Sequence, residues 1–373
     1  MNLRPDAVVV GAGIVGAACA LRLAERGLRV SVLEQAESPA AGSTARSVAG
    51  VRAQFATRTN ILLSQRSIAE YAALPEAGYC ASGYLLLFSA VQWTAHQAAL
   101  ALQRSLGVPV RALSPLEAQR ITPFDPEGIA GCSFCPTDGS VDPHGITFAY
   151  LRGAARRGAE LHTATPLTAV TRSGGVWRLH TPRGTLEAPL LVNAAGAWSG
   201  EVAALAGLDV PVIPARRMVF ATGPLGRHLG YPMTFDLTSG VYLRSEGERL
   251  ILGRADVADS GWREGMNWDW LEPTLEAALA RFPWLEQATL DRRASWWGYY
   301  EVTPDHAPIL GRMPGADGWI NACGFSGHGV MHAAAVGHVI AQEALGEPAS
   351  VNIDALRYER FGQAQAGLHD LQL

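Results

Sequence analysis

Hydrophobic positions open the chain as a run of three valines, Val8 to Val10, give way to glycine, and return as an apolar stripe at helical spacing. The stretch "VVVGAGIVGAACALRLAERGLRVSVLEQ" therefore predicts strand, tight turn, helix and a second strand from Val30 to Leu33 that ends at Glu34. That order is a βαβ unit. Gly11 permits the turn, Gly13 lets backbone approach a pyrophosphate, and Gly16 lets the helix pack closely on the strand. The helix N-terminus then offers unpaired N–H groups to an anion. A carboxylate at Glu34 accepts hydrogen bonds from ribose hydroxyls and repels an added 2′-phosphate, which disfavours NADP. The motif alone leaves NAD and FAD both open.

Beyond Glu34, "ESPAAGSTARSVAGVRAQF" is rich in small residues, lacks periodicity, and reads as a loop passing close to a ligand. "NILLSQRSIAEYAAL" has helical spacing, "SGYLLLFS" reads as a buried strand, and "AHQAALALQRSLG" as a helix ending at Gly107. Ser114, with Glu117 at the box position, caps a short helix in "SPLEAQRI". A helix over 145–158 precedes short strands around Leu161, 168–171 and 177–180, then the apolar strand of "APLLVNAAGAWSG". Residues 214–295 turn aromatic and alternating, as in "GVYLRS" and "RLILGR", and predict an antiparallel sheet with the helix "PTLEAALARF" between. Finally "GWINACGFSGHGVMHAAAVGHVIAQEALG" repeats the opening order of strand, glycine loop and long helix. The pattern predicts an α/β protein in two domains: a discontinuous Rossmann-type domain (1–84, 140–213 and 296–373) and an inserted α+β substrate-binding domain on an antiparallel sheet (85–139 and 214–295).

Composition narrows the chemistry. The 373 residues are 48% hydrophobic, enough for two domains, and a formal charge of −4 gives no footprint for nucleic acid. All thirty cations are arginine, so a Schiff-base lysine, and lysine-anchored pyridoxal phosphate with it, is excluded. The five cysteines are scattered and odd in number, unlike a secreted disulfide framework, and Cys132 with Cys135 form a CxxC without the further ligands that zinc needs, so no metal is expected. No apolar run reaches about 18 residues, and the first strand follows within a few residues of Met1, so the expectation is a cytoplasmic protein without a membrane span.

Two glycine loops leading into helices suit a flavin better than NAD, because a second helix N-terminus can face the pyrimidine ring, where negative charge develops on reduction. "GAGIVG" with Glu34, "GSTARSVAGVRAQF", "PTDGSVDPHG", "NAAGAWSG", "GYYEVTPDHAPILGR" and "GFSGHGVM" together resemble the FAD-dependent superfamily of D-amino-acid oxidase, glycine oxidase and sarcosine oxidase. The likeness covers nearly the whole chain and looks closest to the β-subunits of dye-linked L-proline dehydrogenases and heterotetrameric sarcosine oxidases.

The resemblance implies that Gly11, Gly13, Ile14, Val15, Gly16, Glu34 and Gln35 hold the ADP half of FAD, while Gly42, Ser43, Thr44, Arg46 and Ser47 line the pyrophosphate and flavin. It places Leu167 at the adenine, Ala195, Gly196 and Trp198 beneath the cofactor, and Gly327, His328, Gly329, Val330 and Met331 over the pyrimidine end. Relatives that tether flavin covalently use a cysteine where this chain has Gly298 or a histidine where it has Arg46, so noncovalent FAD is expected. Arg52 matches an arginine that binds the substrate carboxylate, a task suited to a guanidinium fork. Tyr242 and Tyr300 fall at substrate-facing positions, where a buried tyrosine also serves as core, and His328 either sets charge beside the flavin near neutral pH or is a hydrogen-bonded core residue, its place inside the second glycine loop favouring the first. Tyr300 stands where glycine-oxidase-type enzymes have arginine, and Met331 and Ile251 where sarcosine-type enzymes have lysine.

The expected activity is oxidation of the C–N bond of an amino or imino acid (sarcosine, glycine, proline or D-amino-acid type), with hydride passing from the α-carbon to flavin N5. The absence of lysine favours a dehydrogenase that passes electrons to an acceptor other than oxygen. Partner subunits belong to the same expectation. The alternatives are a non-catalytic flavoprotein acting as an assembly or regulatory factor, and a catalytic subunit active only in a hetero-oligomer.

Overall fold

A computed structural model describes residues 4–362. Its first sheet has six strands, in the order Ile309–Arg312, Trp319–Cys323, Leu190–Asn193, Ala7–Val10, Val30–Leu33 and Glu160–His162. All neighbours run parallel except the first pair. Alternation explains why the Ala7–Val10 strand is uniformly apolar: Ala7 and Val9 join the core beneath the helices, while Val8 and Val10 join the core on the opposite face. The helical layer is made by Ile14–Glu25, Pro143–Ala155 and Gly329–Leu345, and a three-stranded meander of Ala169–Ser173, Val176–Thr181 and Gly184–Ala188 covers the other side. The Gly184–Ala188 strand is additional to those predicted.

Because Ala7–Val10 sits between Leu190–Asn193 and Val30–Leu33, the loops leaving its carboxyl end open at the point where strand order reverses. That crevice is where open parallel sheets bind ligands.

The second sheet has eight strands: Trp296–Val302, Ile213–Ala221, Arg249–Arg254, Val241–Glu246, Met233–Asp236, Tyr84–Phe88, Gly131–Cys135 and Arg111–Leu113. It is antiparallel, as expected, except where Met233–Asp236 pairs parallel with Tyr84–Phe88. The exception lies at the seam between early and late chain segments, where no hairpin dictates direction. The strand Trp296–Val302, in the stretch assigned from sequence to the cofactor domain, forms this sheet's edge on Ile213–Ala221.

One face of the sheet packs Leu85, Leu87, Phe220, Leu243 and Leu252 with Ala278 and Phe282 of the flanking helix Leu271–Arg281 and its end. The opposite face carries Tyr84, Met233, Phe235 and Tyr242 and turns toward the crevice of the first sheet. The predicted Ser114 capping box is present, with Glu117 N–H and Ser114 N–H both satisfied by the reciprocal side chain. Among the described residues, no helix is long and apolar enough to cross a membrane.

Candidate active site

A cavity of about 800 Å³ runs between the two sheets, within the range of cofactor and ligand pockets. At one end stands the helix Ile14–Glu25, whose N-terminus has no capping side chain at Gly13 and no acid in its first turn. Its Ile14 N–H donates to Thr44 Oγ1 at 3.1 Å, which fastens the 39–47 loop over the helix end. The turn before it admits glycine alone. Gly11 has φ +102°, and a Cβ there would lie 2.4 Å from the Ala194 carbonyl oxygen, while a Cβ at Gly16 would lie 2.0 Å from the Gly11 carbonyl oxygen. Gly16 therefore tightens the turn from behind, whereas Gly11, Gly13, Ile14 and Val15 face the cavity.

Glu34 fixes this end. Its two carboxylate oxygens accept from Ala12 N–H and Ala36 N–H, both at 2.9 Å, so the side chain is held at the cavity wall beside Gln35. Leu167 lines the same end. Gly42, Ser43, Thr44, Arg46 and Ser47 form one side of the cavity and Ala195, Gly196 and Trp198 the other. Ser43 Oγ donates to the Tyr299 carbonyl at 2.7 Å and Trp296 Nε1 to the Arg46 carbonyl at 2.9 Å, so this loop is stitched to the second sheet. Arg46 lines the cavity with its guanidinium stacked on Trp297, 4.5 Å from the ring centroid.

The far end is closed by the helix Gly329–Leu345, again without a capping side chain or an acid in its first turn. Tyr71, fully buried, positions it: the hydroxyl donates to the Val330 carbonyl at 2.8 Å and accepts from Ala334 N–H at 3.3 Å. Gly327, His328, Gly329, Val330 and Met331 all line the cavity. Gly327 has φ +99°, and a Cβ there would strike the Tyr300 ring at 2.5 Å. Three further residues with positive φ, Ala40, Ala49 and Ser326, lie in these cavity-forming loops, so backbone strain gathers around the site.

Arg52, which the resemblance makes the carboxylate ligand, is packed into the cavity wall. It forms part of the wall but exposes none of its surface, with its guanidinium 4.0 Å over the Phe55 ring, one nitrogen donating to the Gln54 carbonyl and Nη2 3.3 Å from His328 Nε2. Its loop is clamped by Asp138, which accepts from Ala53 N–H and Gln54 Nε2 at 2.8 and 3.0 Å and whose carboxyl burial pushes up to about 6. A guanidinium only donates, so His328 Nε2 accepts and the imidazole is neutral with its proton on Nδ1. Burial, then the Arg52 charge, holds His328 well below the ordinary histidine value. Both effects favour a neutral His328.

Tyr242 and Tyr300 both line the cavity. Ile251 is buried behind its wall, packed on Val219 and Ala221. Cys132 and Cys135 are buried strand positions whose thiols are pushed up to about 12 by burial, and His144 is an exposed residue stacked on Phe148.

Sequence reasoning missed Arg217, Glu301, Tyr84, Met233 and Phe235, all cavity-lining. Glu301 accepts from the Gly324 and Phe325 N–H groups, and burial pushes its carboxyl up to about 7. Its signal was the glycine loop itself, which needs a buried acceptor at its base.

The geometry fits a long, flat, anionic cofactor: two helix N-termini without an acid in the first turn, a glycine turn without room for a side chain, and a carboxylate held by two backbone N–H groups. The family model described as "FAD dependent oxidoreductase" (DAO) matches residues 6–343. Human mitochondrial sarcosine dehydrogenase is 27% identical over 362 residues, which cover 90% of this chain and 39% of that protein. The chain thus spans about two fifths of that relative. FAD-dependent oxidoreductase domain-containing protein 1 of Bos taurus is 31% identical, covering 96% of this chain and 85% of that protein. The crystal structure of L-proline dehydrogenase from P. horikoshii superposes with a TM-score of 0.89 at 28% identity, covering 98% of this chain and all of that one.

Proposed function

This chain belongs to the DAO family of FAD-dependent oxidoreductases, a family of amino-acid oxidases and dehydrogenases, and on that premise we propose that it oxidises the C–N bond of an amino or imino acid. The observation that carries the proposal is one continuous cavity with a dinucleotide-binding turn at one end and an aromatic, arginine-bearing wall at the other. Bound FAD supplies the two-electron acceptor for the hydride leaving the substrate α-carbon.

The residues do the rest. The N-terminus of Ile14–Glu25, with Thr44 and the 42–47 loop, holds the diphosphate, and Glu34 holds the adenosine ribose. The N-terminus of Gly329–Leu345 presents positive helix potential to the redox ring, where reduction places negative charge. Neutral His328 and apolar Val330 and Met331 exclude water from that end. Among the described residues, the acids along the cavity wall are Glu34, Glu201 and Glu301. Glu34 and Glu301 are bonded to backbone N–H groups and Glu201 to Trp262 Nε1, which favours a substrate amine bound in its neutral form.

We propose noncovalent attachment of FAD. Position 298 carries no nucleophile, and a Cβ there would lie 2.9 Å from the Arg46 Cβ. The lysine-free chain favours an acceptor other than oxygen, a protein or dye, and partner subunits and a cytoplasmic location belong to the same proposal.

The test is anaerobic mixing of the FAD-loaded protein with glycine, sarcosine, proline and D-amino acids in turn. The expected result is bleaching of the flavin by at least one of them, with slow recovery in air and rapid recovery with an artificial acceptor. Bound flavin that none of them bleaches overturns the activity, and immediate recovery in air overturns the dehydrogenase assignment.

A further inference from the structure

Two adjacent arginines on the strand Ile213–Ala221 have opposite fates. Arg216 points away from the cavity, pairs with Asp259 at 2.9 Å and donates to the Glu264 and Gly265 carbonyls. Arg217 lies on the cavity face and has no such partner. Both of its hydrogen bonds run through Nη1, to the carbonyls of Arg216 at 2.9 Å and Asp256 at 3.0 Å. Its Nε is buried without a partner, and no carboxylate among the described residues lies within ion-pair distance of its guanidinium.

The sheet register explains the pose. Arg217 stands opposite Gly298 and Ala215 opposite Tyr300, so Arg217 and Tyr300 are diagonal neighbours on one face. The missing side chain at Gly298 lets Arg217 lean across until its Cζ lies 5.4 Å from the Tyr300 ring centroid. A largely buried cation that lacks an acid is costly unless a ligand provides the anion. The cavity's own acids are committed elsewhere. Beside Arg217 the wall is Tyr242, Tyr300, Phe235, Met233 and Val219, which has room for apolar substance rather than a second charge.

We propose that Arg217 is the residue that binds the substrate carboxylate, through the Nη2 of its guanidinium, the nitrogen left open, and that the substrate is an α-amino or α-imino acid with an apolar substituent lying on the Tyr242, Phe235 and Met233 wall. Arg52, fully buried over Phe55 and 3.3 Å from His328 Nε2, is instead a positioning residue that fixes the His328 loop. This rests on the amino-acid reading above.

The test uses the FAD-loaded protein and benzoate as a carboxylate probe, followed through the perturbation of the flavin's visible spectrum. Benzoate perturbs the wild type. R217Q, with unchanged flavin content, binds it about 100-fold more weakly, and R217K, which keeps the charge and loses the fork, about 10-fold. With an oxidised amino acid in hand, R217Q raises KM far more than it lowers kcat. Wild-type affinity in R217Q and R217K overturns the assignment and leaves the amino-acid reading standing. A flavin spectrum that benzoate does not perturb even in the wild type overturns both.

Discussion

The two ends of the cavity are built from different materials. At the dinucleotide end backbone does the work: a helix terminus, a glycine at φ +102° and a carboxylate pinned by two N–H groups. At the substrate end side chains do it, and they arrive from strands far apart in the chain, with Arg217, Tyr242 and Tyr300 gathered only by sheet register. The first end should therefore fail when atoms are added and the second when charge is removed.

Adding one methyl group has the largest expected effect. Gly11→Ala places a Cβ 2.4 Å from the Ala194 carbonyl and forces a side chain into a left-handed backbone, so it should cost at least ~3 kcal/mol and abolish flavin retention. Thermal melting and flavin content check this. A yellow protein of wild-type stability would dissolve the contrast between the ends.

Charge at the substrate end predicts a pH signature. Burial pushes the folded Glu301 carboxyl up to about 7 from an ordinary 4.5, so the folded state holds its proton where the unfolded state has lost it. Its contribution is thus complete below about pH 4.5 and is lost as pH rises through 7. Glu301→Gln should match wild type near pH 5 and be more stable than wild type above pH 8, by up to ~3 kcal/mol. Denaturant titrations at the two pH values decide it, and a gap independent of pH refutes a charged Glu301 at high pH.

A smaller loss is expected from Tyr71→Phe. It removes the hydroxyl that joins Val330 and Ala334, loosening the start of the second helix by ~1–2 kcal/mol, and hydrogen exchange should rise at 330–334 before anywhere else. The smallest effect is at Ala49, with φ +55° in the loop between the ends. Ala49→Gly should be neutral or stabilising within ~1 kcal/mol, in contrast to glycine substitution elsewhere, because it relieves a left-handed alanine.

The same division explains what was legible in the sequence. Backbone function leaves local marks: Gly11, Gly13, Glu34 and the Gly327 to Gly329 loop are spaced by the turn and helix they form, and each lies at the cavity. Arg217 left no mark, since its role depends on the glycine opposite it at 298 and on the neighbour Arg216 taking Asp259. Arg52 shows the converse. Its motif was visible, yet its burial against Phe55 and His328 is a tertiary fact. His328 likewise reads as a titrating group or a core residue, and burial and the Arg52 guanidinium favour its neutral form.

The division of labour is tested most directly by the flavin content of wild type, Gly11→Ala and Arg217→Gln after gel filtration with excess FAD. The account predicts one flavin per chain in wild type and Arg217→Gln and none in Gly11→Ala. A colourless Arg217→Gln, or a fully loaded Gly11→Ala, would contradict it.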